Sequence, residues 1–186
     1  MRFLVWLAAL ALSACAFTSE APFFQPREAV YPISDGATLD FADSGGEVTP
    51  LTFHQAAAGG YGVIDASHAD EPMEVLFIAI AETPEDDYIL QVQLERGDSS
   101  RAYAFMWREG EGFRMVMDPG ILEPSHKILV GLDTFCTWRP YRECTLRTRE
   151  DLLTLYRNAI YPRFVVGNES PGSFATLAPH GIAAPK

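Results

Sequence analysis

The side chains in this 186-residue sequence best suited to hold a metal are three cysteines, four histidines and a scatter of carboxylates. His68-Ala69-Asp70-Glu71 gathers nitrogen and oxygen ligands in one short run. A working metal site also needs ligands from other elements, each held by its own hydrogen-bonded surroundings. His54, His126 and His180 are the remaining histidines, and no spacing ties them to that run. Glu82, Glu85, Asp86 and Asp87 could meet a calcium ion, but the ligand alternation around a central glycine that an EF-hand needs is absent. A solvated turn is the better reading there. The sequence has no CxxC or paired Cys/His zinc spacing, and no GxGxxG, Walker A, HExxH or GxSxG. It therefore predicts no metal, no cofactor and no assignable catalytic residue.

Gly97-Asp98-Ser99 is similar to the nucleophile block of GDSL-type hydrolases. That resemblance implies a flavodoxin-like layout, with the serine opening a helix and a D-x-x-H late in the chain. Here the block joins two strand-like segments, and the only D-x-x-H, Asp65 to His68, comes before it. A hairpin turn is expected instead. Tyr103, Phe105 and Trp107 stand at strand spacing and share one face of any strand they form. Aromatics dominate cores, so core packing is the first expectation, with a candidate ligand or partner face as the second.

The cysteines say more. Met1-Arg2 precedes Phe3–Leu12 (FLVWLAALAL), an uncharged apolar run. It is far short of the roughly 20 residues that span a bilayer as a helix, and suits a signal-peptide core. Leu12-Ser13-Ala14-Cys15 follows, an aliphatic residue, two small ones and a cysteine. The motif resembles the lipobox of bacterial lipoproteins. Ser13 and Ala14 let a peptidase accept an extended backbone, and the Cys15 thiol can accept a diacylglyceryl group. The resemblance implies cleavage before Cys15, which becomes an acylated N-terminus and the membrane anchor. Asp after the lipidated cysteine tends to retain such proteins in the inner membrane; here Ala16 follows, which points to the periplasmic face of the outer membrane. With Cys15 committed to lipid, Cys136 and Cys144 remain as a pair, which an oxidising compartment predicts to be a disulfide.

Composition sets the remaining bounds. Removing residues 1–14 from 186 leaves 172, about one domain, and 48% hydrophobic content is ample for a core. Loss of Arg2 takes the net charge from −11 to −12. That excess of carboxylate disfavours nucleic acid as a partner and repels anionic lipid headgroups. The expected organisation is a signal peptide over 1–14, a proline-containing tether over 15–32, one β-rich domain over 33–162 and a flexible Gly/Pro/Ser/Ala tail over 163–186.

The elements expected inside the domain are short strands separated by turn chemistry. They are Thr38–Phe41, Val48–His54, Tyr61–Ile64, Glu74–Ala81, Tyr88–Glu95, Arg101–Trp107, Phe113–Met117 and Lys127–Leu132. Glu74–Ala81 is apolar on both faces, and in Tyr88–Glu95 the glutamines alternate with apolar residues. Without crossover helices between strands, the fold class is mainly β, a small antiparallel barrel or sandwich. One C-terminal helix is expected over Arg149–Ala159. Thr148 caps it, Asp151 holds the capping-box position, and Leu152, Leu155, Tyr156 and Ala159 form its apolar stripe. Pro162 should stop it. The cysteine pair followed by this helix resembles the close of many exported bacterial β-domain lipoproteins, a likeness that brings no activity with it.

Three functions follow as expectations. The first is a non-catalytic, membrane-anchored interaction or assembly module with an envelope protein as partner. The second is a carrier of a small apolar ligand in a lipocalin-like barrel. The third is an enzyme or enzyme inhibitor without a familiar motif.

Overall fold

Side chains of a strand alternate between its faces, and this chain uses both faces of its sheet. The computed structural model describes residues 17–43, 45–65, 72–81, 86–93, 99–117, 144–167 and 174–181, together with the backbone of 136–138. The strands are β1 (Phe17–Ser19), β2 (Ala37–Ala42), β3 (Val48–Gln55), β4 (Tyr61–Asp65), β5 (Met73–Ala79) and β6 (Asp87–Gln93). β7 (Arg101–Glu109), β8 (Gly112–Val116), β9 (Cys136–Trp138), β10 (Cys144–Leu146) and β11 (Ala175–Pro179) complete the set. Eight of them close into an antiparallel barrel in the order β6-β5-β4-β3-β2-β11-β8-β7, with β7 pairing back onto β6. The architecture is a barrel and not a sandwich. Lys127–Leu132 lies outside the described residues.

The paired residue numbers of an antiparallel pair have a constant sum, so carrying the eight registers round the wall is simple alternation. It returns to β2 displaced by twelve residues. Stagger, tilt and width of a barrel are linked, and a stagger larger than the strand number tilts the strands steeply and widens the interior. Large side chains are needed to fill it. Phe53, Tyr61, Phe77, Tyr88, Phe113, Met106 and Met115 do so.

A second core lies outside the wall. On β6 and β7, Leu90, Ala104 and Met106 point inward, while Ile89, Tyr103, Phe105 and Trp107 point outward. The outward set is covered by helix α1 (Arg149–Leu155) and its continuation Tyr156–Val165. This double coverage explains why Glu74–Ala81 is apolar on both faces: Val75 and Phe77 fill the barrel, while Ile78 and Ile80 face the outer core. The capping box forms as expected, with Asp151 N donating to Thr148 Oγ1 at 3.1 Å and Thr148 N donating to an Asp151 oxygen at 3.0 Å. Leu152, Leu155, Tyr156 and Ala159 are all buried.

Three expectations are overturned. Pro162 does not stop the helix. The chain passes it in a wide π-helical segment, with Val166 N still bonding Tyr161 O at 3.0 Å. Packing decides this, since Ile160 and Phe164 on either side of the proline are buried against the barrel. The stretch read as a tether over 15–32 is, from Phe17 on, built into the body. β1 pairs with β7 and with β10, Phe17 and Phe24 are buried, and Val30 bridges to Phe77. Gly59, at φ 109°, lets the β3–β4 turn approach this strap so closely that a Cβ would meet the Pro26 carbonyl. The stretch read as a tail over 163–186 begins inside the helix and contains β11, which fills the gap between β2 and β8. Its inward residues, Ala175 and Leu177, are buried in the barrel core.

β11 is therefore the closing strand, and deleting residues 175–186 should leave β2 and β8 as open edges. The truncated chain is expected to lose its cooperative urea transition, followed by near- and far-UV circular dichroism. A wild-type midpoint and slope in the truncated chain would show that closure is dispensable.

Candidate functional site

Tyr103, Phe105 and Trp107 do share a face, but it is neither a ligand cavity nor an exposed partner face. It is the outer wall beneath the chain's own helix and strap, and the three residues are only 2%, 0% and 6% exposed. Phe23 stacks on Tyr103 at 5.2 Å, and Phe17 and Tyr156 flank Phe105 at 5.4 and 5.6 Å. Phe174 meets Trp107 edge-on at 5.5 Å. The apolar stripe of the helix packs on this face, with Leu152, Leu155, Tyr156 and Ala159 in the same core.

The same wall holds a buried polar cluster that alternation alone misplaces. Gln91 stands on the polar side of the alternation in β6. It is outward, yet only 3% exposed. Its Oε1 accepts from the backbone N–H of both Phe23 and Phe24 at 3.0 Å, and its Nε2 donates to the Phe24 carbonyl at 3.1 Å. Tyr103 OH donates toward the same Oε1 at 3.3 Å, accepts from Phe23 N at 3.2 Å, and lies 2.8 Å from Ser19 Oγ. Ser19 Oγ in turn donates to the Ala21 carbonyl at 2.5 Å. A buried amide with unmet bonds would cost about 1–3 kcal/mol; here the strap's backbone supplies the partners. Arg149, from the start of the helix, lies over the Phe24 ring at 4.4 Å and pairs with Glu28 at 2.6 Å. Helix, strap and wall are thus tied at one place.

The barrel interior is occupied by an edge-to-face chain of rings. Phe53 and Phe77 both meet Tyr61, and Tyr88 links Phe77 to Phe113. Tyr61 OH donates to the Ile33 carbonyl at 2.6 Å and accepts from Ile33 N at 3.1 Å, so the strap joins the inner core at Ile33.

Several titratable residues among those described are paired. His180 lies 2.6 Å from Asp40, whose other oxygen accepts from Gly181 N at 3.0 Å. The His180 hydrogen bond, with that of Gly181, holds the Asp40 carboxyl below its usual range. His54 lies 3.9 Å from Asp35 on an exposed surface. Among the described residues no three His, Cys, Asp or Glu side chains gather as metal ligands. Ser99 donates to the Glu20 carbonyl at 2.8 Å, which joins its loop to the strap. The run read as a solvated acidic turn divides: Asp86 pairs with the exposed Arg108 at 3.0 Å, whereas Asp87 is buried and accepts from Tyr156 OH. Asp87 Oδ1 has no hydrogen-bond partner among the described residues. His68, Asp70, Glu71, Glu82, Glu85, Gly97, Asp98 and His126 lie outside the described residues.

Cys144 is disulfide-bonded and fully buried, between Phe17 on β1 and Trp138 on β9. On the backbone, Cys136 stands opposite Leu146. Its side chain, and all of Cys15, lie outside the described residues. No helix among the described residues is long and apolar enough to cross a membrane. Comparison with protein-family models, with curated proteins and with solved structures finds no match to this chain. The class is set by the architecture alone, a closed eight-stranded antiparallel barrel with a helix on its outer wall.

Two outcomes are expected from this geometry. Gln91→Leu takes the partner from the N–H and the carbonyl of Phe24, while Phe23 N–H keeps the Tyr103 hydroxyl, and should cost about 1–3 kcal/mol per unmet group, read from urea denaturation. Stability equal to wild type would mean that water or a shifted strap replaces the amide. The second outcome concerns alkali. Burial pushes the hydroxyls of Tyr61, Tyr88 and Tyr103 above the ordinary tyrosine value. The folded state then keeps protons that the unfolded state gives up. This contribution is intact below about pH 10 and is lost as pH rises through the folded values. Phenolate absorbance from these residues should therefore appear together with unfolding. Full ionisation near pH 10 with the circular dichroism unchanged would contradict it.

Proposed function

We propose that the chain is a lipid-anchored envelope protein whose barrel serves as a non-catalytic interaction or assembly module. The carrying observation is the Leu12-Ser13-Ala14-Cys15 lipobox behind the apolar run Phe3–Leu12, standing directly before β1. The disulfide at Cys144 supports an oxidising compartment, with Cys136 as its proposed partner. Ala16 favours the periplasmic face of the outer membrane. Two or three acyl chains, at about 0.8 kcal/mol per buried CH₂, hold far more firmly than one. Confinement to a surface raises the effective concentration of any partner in the same membrane, so a weak interface is enough.

The closed barrel supports a second reading, carriage of a small apolar ligand in the manner of lipocalins. The rings of Phe53, Tyr61, Phe77, Tyr88 and Phe113 already occupy the interior. Several would have to turn aside to admit a ligand, so the binding-module reading is preferred.

Cys15→Ala should leave an unprocessed precursor that takes up no palmitate analogue in metabolic labelling. Normal processing and membrane retention of this variant would refute the anchor.

A further inference from the structure

We infer that a lipid on Cys15 seats the barrel side-on against the bilayer with no tether between them. The inference rests on the lipoprotein reading, and it adds where the membrane lies relative to the fold. Only Ala16 separates Cys15 from Phe17, which is fully buried and paired on both sides, with Tyr103 of β7 and Cys144 of β10. Two residue steps reach at most about 7 Å. The polar layer of a bilayer is itself about 5–8 Å deep on each side. A lipidated Cys15 at that level brings Phe17, and the wall it belongs to, to the headgroup surface.

No slack is stored further along. The strap is held at Ser19, Phe23 and Phe24 by the Gln91–Tyr103 cluster, at Glu28 by Arg149, and at Val30 by its bridge to Phe77. A flexible tether over residues 15–32 would have had a root-mean-square span of roughly 20–25 Å and left the domain free to tumble. The clamped strap reduces that reach about threefold.

The register also gives the orientation. Along one edge of β7, pairing passes from β8 at Phe105↔Val116 to β1 at Phe17↔Tyr103. β1 therefore begins two residues in from the Arg101 end of β7, where the pairing with β8 gives way, and runs toward that end. A membrane within reach of that point meets the barrel on the flank formed by β7.

The test uses the lipidated full chain in supported bilayers of neutral phosphatidylcholine, so that charge repulsion does not enter. Polarised infrared dichroism of the amide bands reads barrel orientation, and intact mass reads lipid on Cys15. Wild type should be dichroic. Inserting roughly twelve Gly and Ser residues between Ala16 and Phe17, enough for a flexible reach of about 20 Å, should abolish the dichroism with melting unchanged. The same insertion in the Gly110-Glu111 turn should leave the dichroism intact. Lipid present on Cys15 with wild type as isotropic as the first insertion variant would overturn the side-on seat while sparing the anchor. Dichroism lost equally in both insertion variants would overturn it as well. Absence of lipid on Cys15 would remove the anchor, and with it this inference.

Discussion

Both edges and both faces of β7 are occupied, and the rest of the molecule is arranged around that constraint. One edge pairs with β6 from Asp87↔Trp107 to Gln93↔Arg101; the other is divided between β8 and β1. Ala104 and Met106 face the barrel, while Tyr103, Phe105 and Trp107 face the helix. A strand buried on both sides must carry apolar groups on both, and this nine-residue segment does, with the bulky ones mostly on the outer face. The division of its second edge forces β1, and β10 beyond it, to peel away from the barrel as a flap. Cys144 and Leu146 of that flap close over the outer core together with the helix.

Buried polar groups on the same wall follow two different logics. Gln91 and Tyr103 are satisfied by a segment with no regular structure of its own, so their bonding selects where the strap lies. An amide offers both donor and acceptor, and Gln91 uses both on Phe24, which sets the strap's register residue by residue. Asp87, at the start of β6, takes the Tyr156 hydroxyl and keeps one oxygen without a hydrogen-bond partner among the described residues. The first arrangement locks the strap to the wall, and the second fixes the rotation of the helix at Tyr156.

Legibility in the sequence tracks how much of each element's stabilisation is local. β2 to β8 alternate or run apolar between clear turns, and the Thr148 capping box names the helix start. β1 and β10 have three residues each, too few for any period to appear, and exist because β7 has an unfilled edge. β11 reads as a loop because Ala175, Thr176, Ala178 and Pro179 are small or strand-averse; its pairing with strands far away in sequence overrides that composition. Gln91 misleads for a related reason, since alternation says which way a side chain points and not what lies over it. The aromatic stripe on β7 was correctly placed on one face, but only the tertiary packing shows that the helix is what covers it. The proposed anchor is the reverse case: the Cys15 motif is legible from the sequence alone, and what the fold adds is that Phe17, two residues on, is already buried and paired.

The position of β11 in chain order bears on how the molecule is made. Its partners β2 and β8 precede it by more than 50 residues. During synthesis, every other strand emerges while the ring still has a gap. Pairings this distant in sequence form late, and two unsatisfied strand edges remain open to foreign chains until they do. The ring cannot be sealed until residues 175–179 arrive, so for most of its emergence the polypeptide has no closed structure to undo. That is the condition in which a chain can be threaded through a narrow opening.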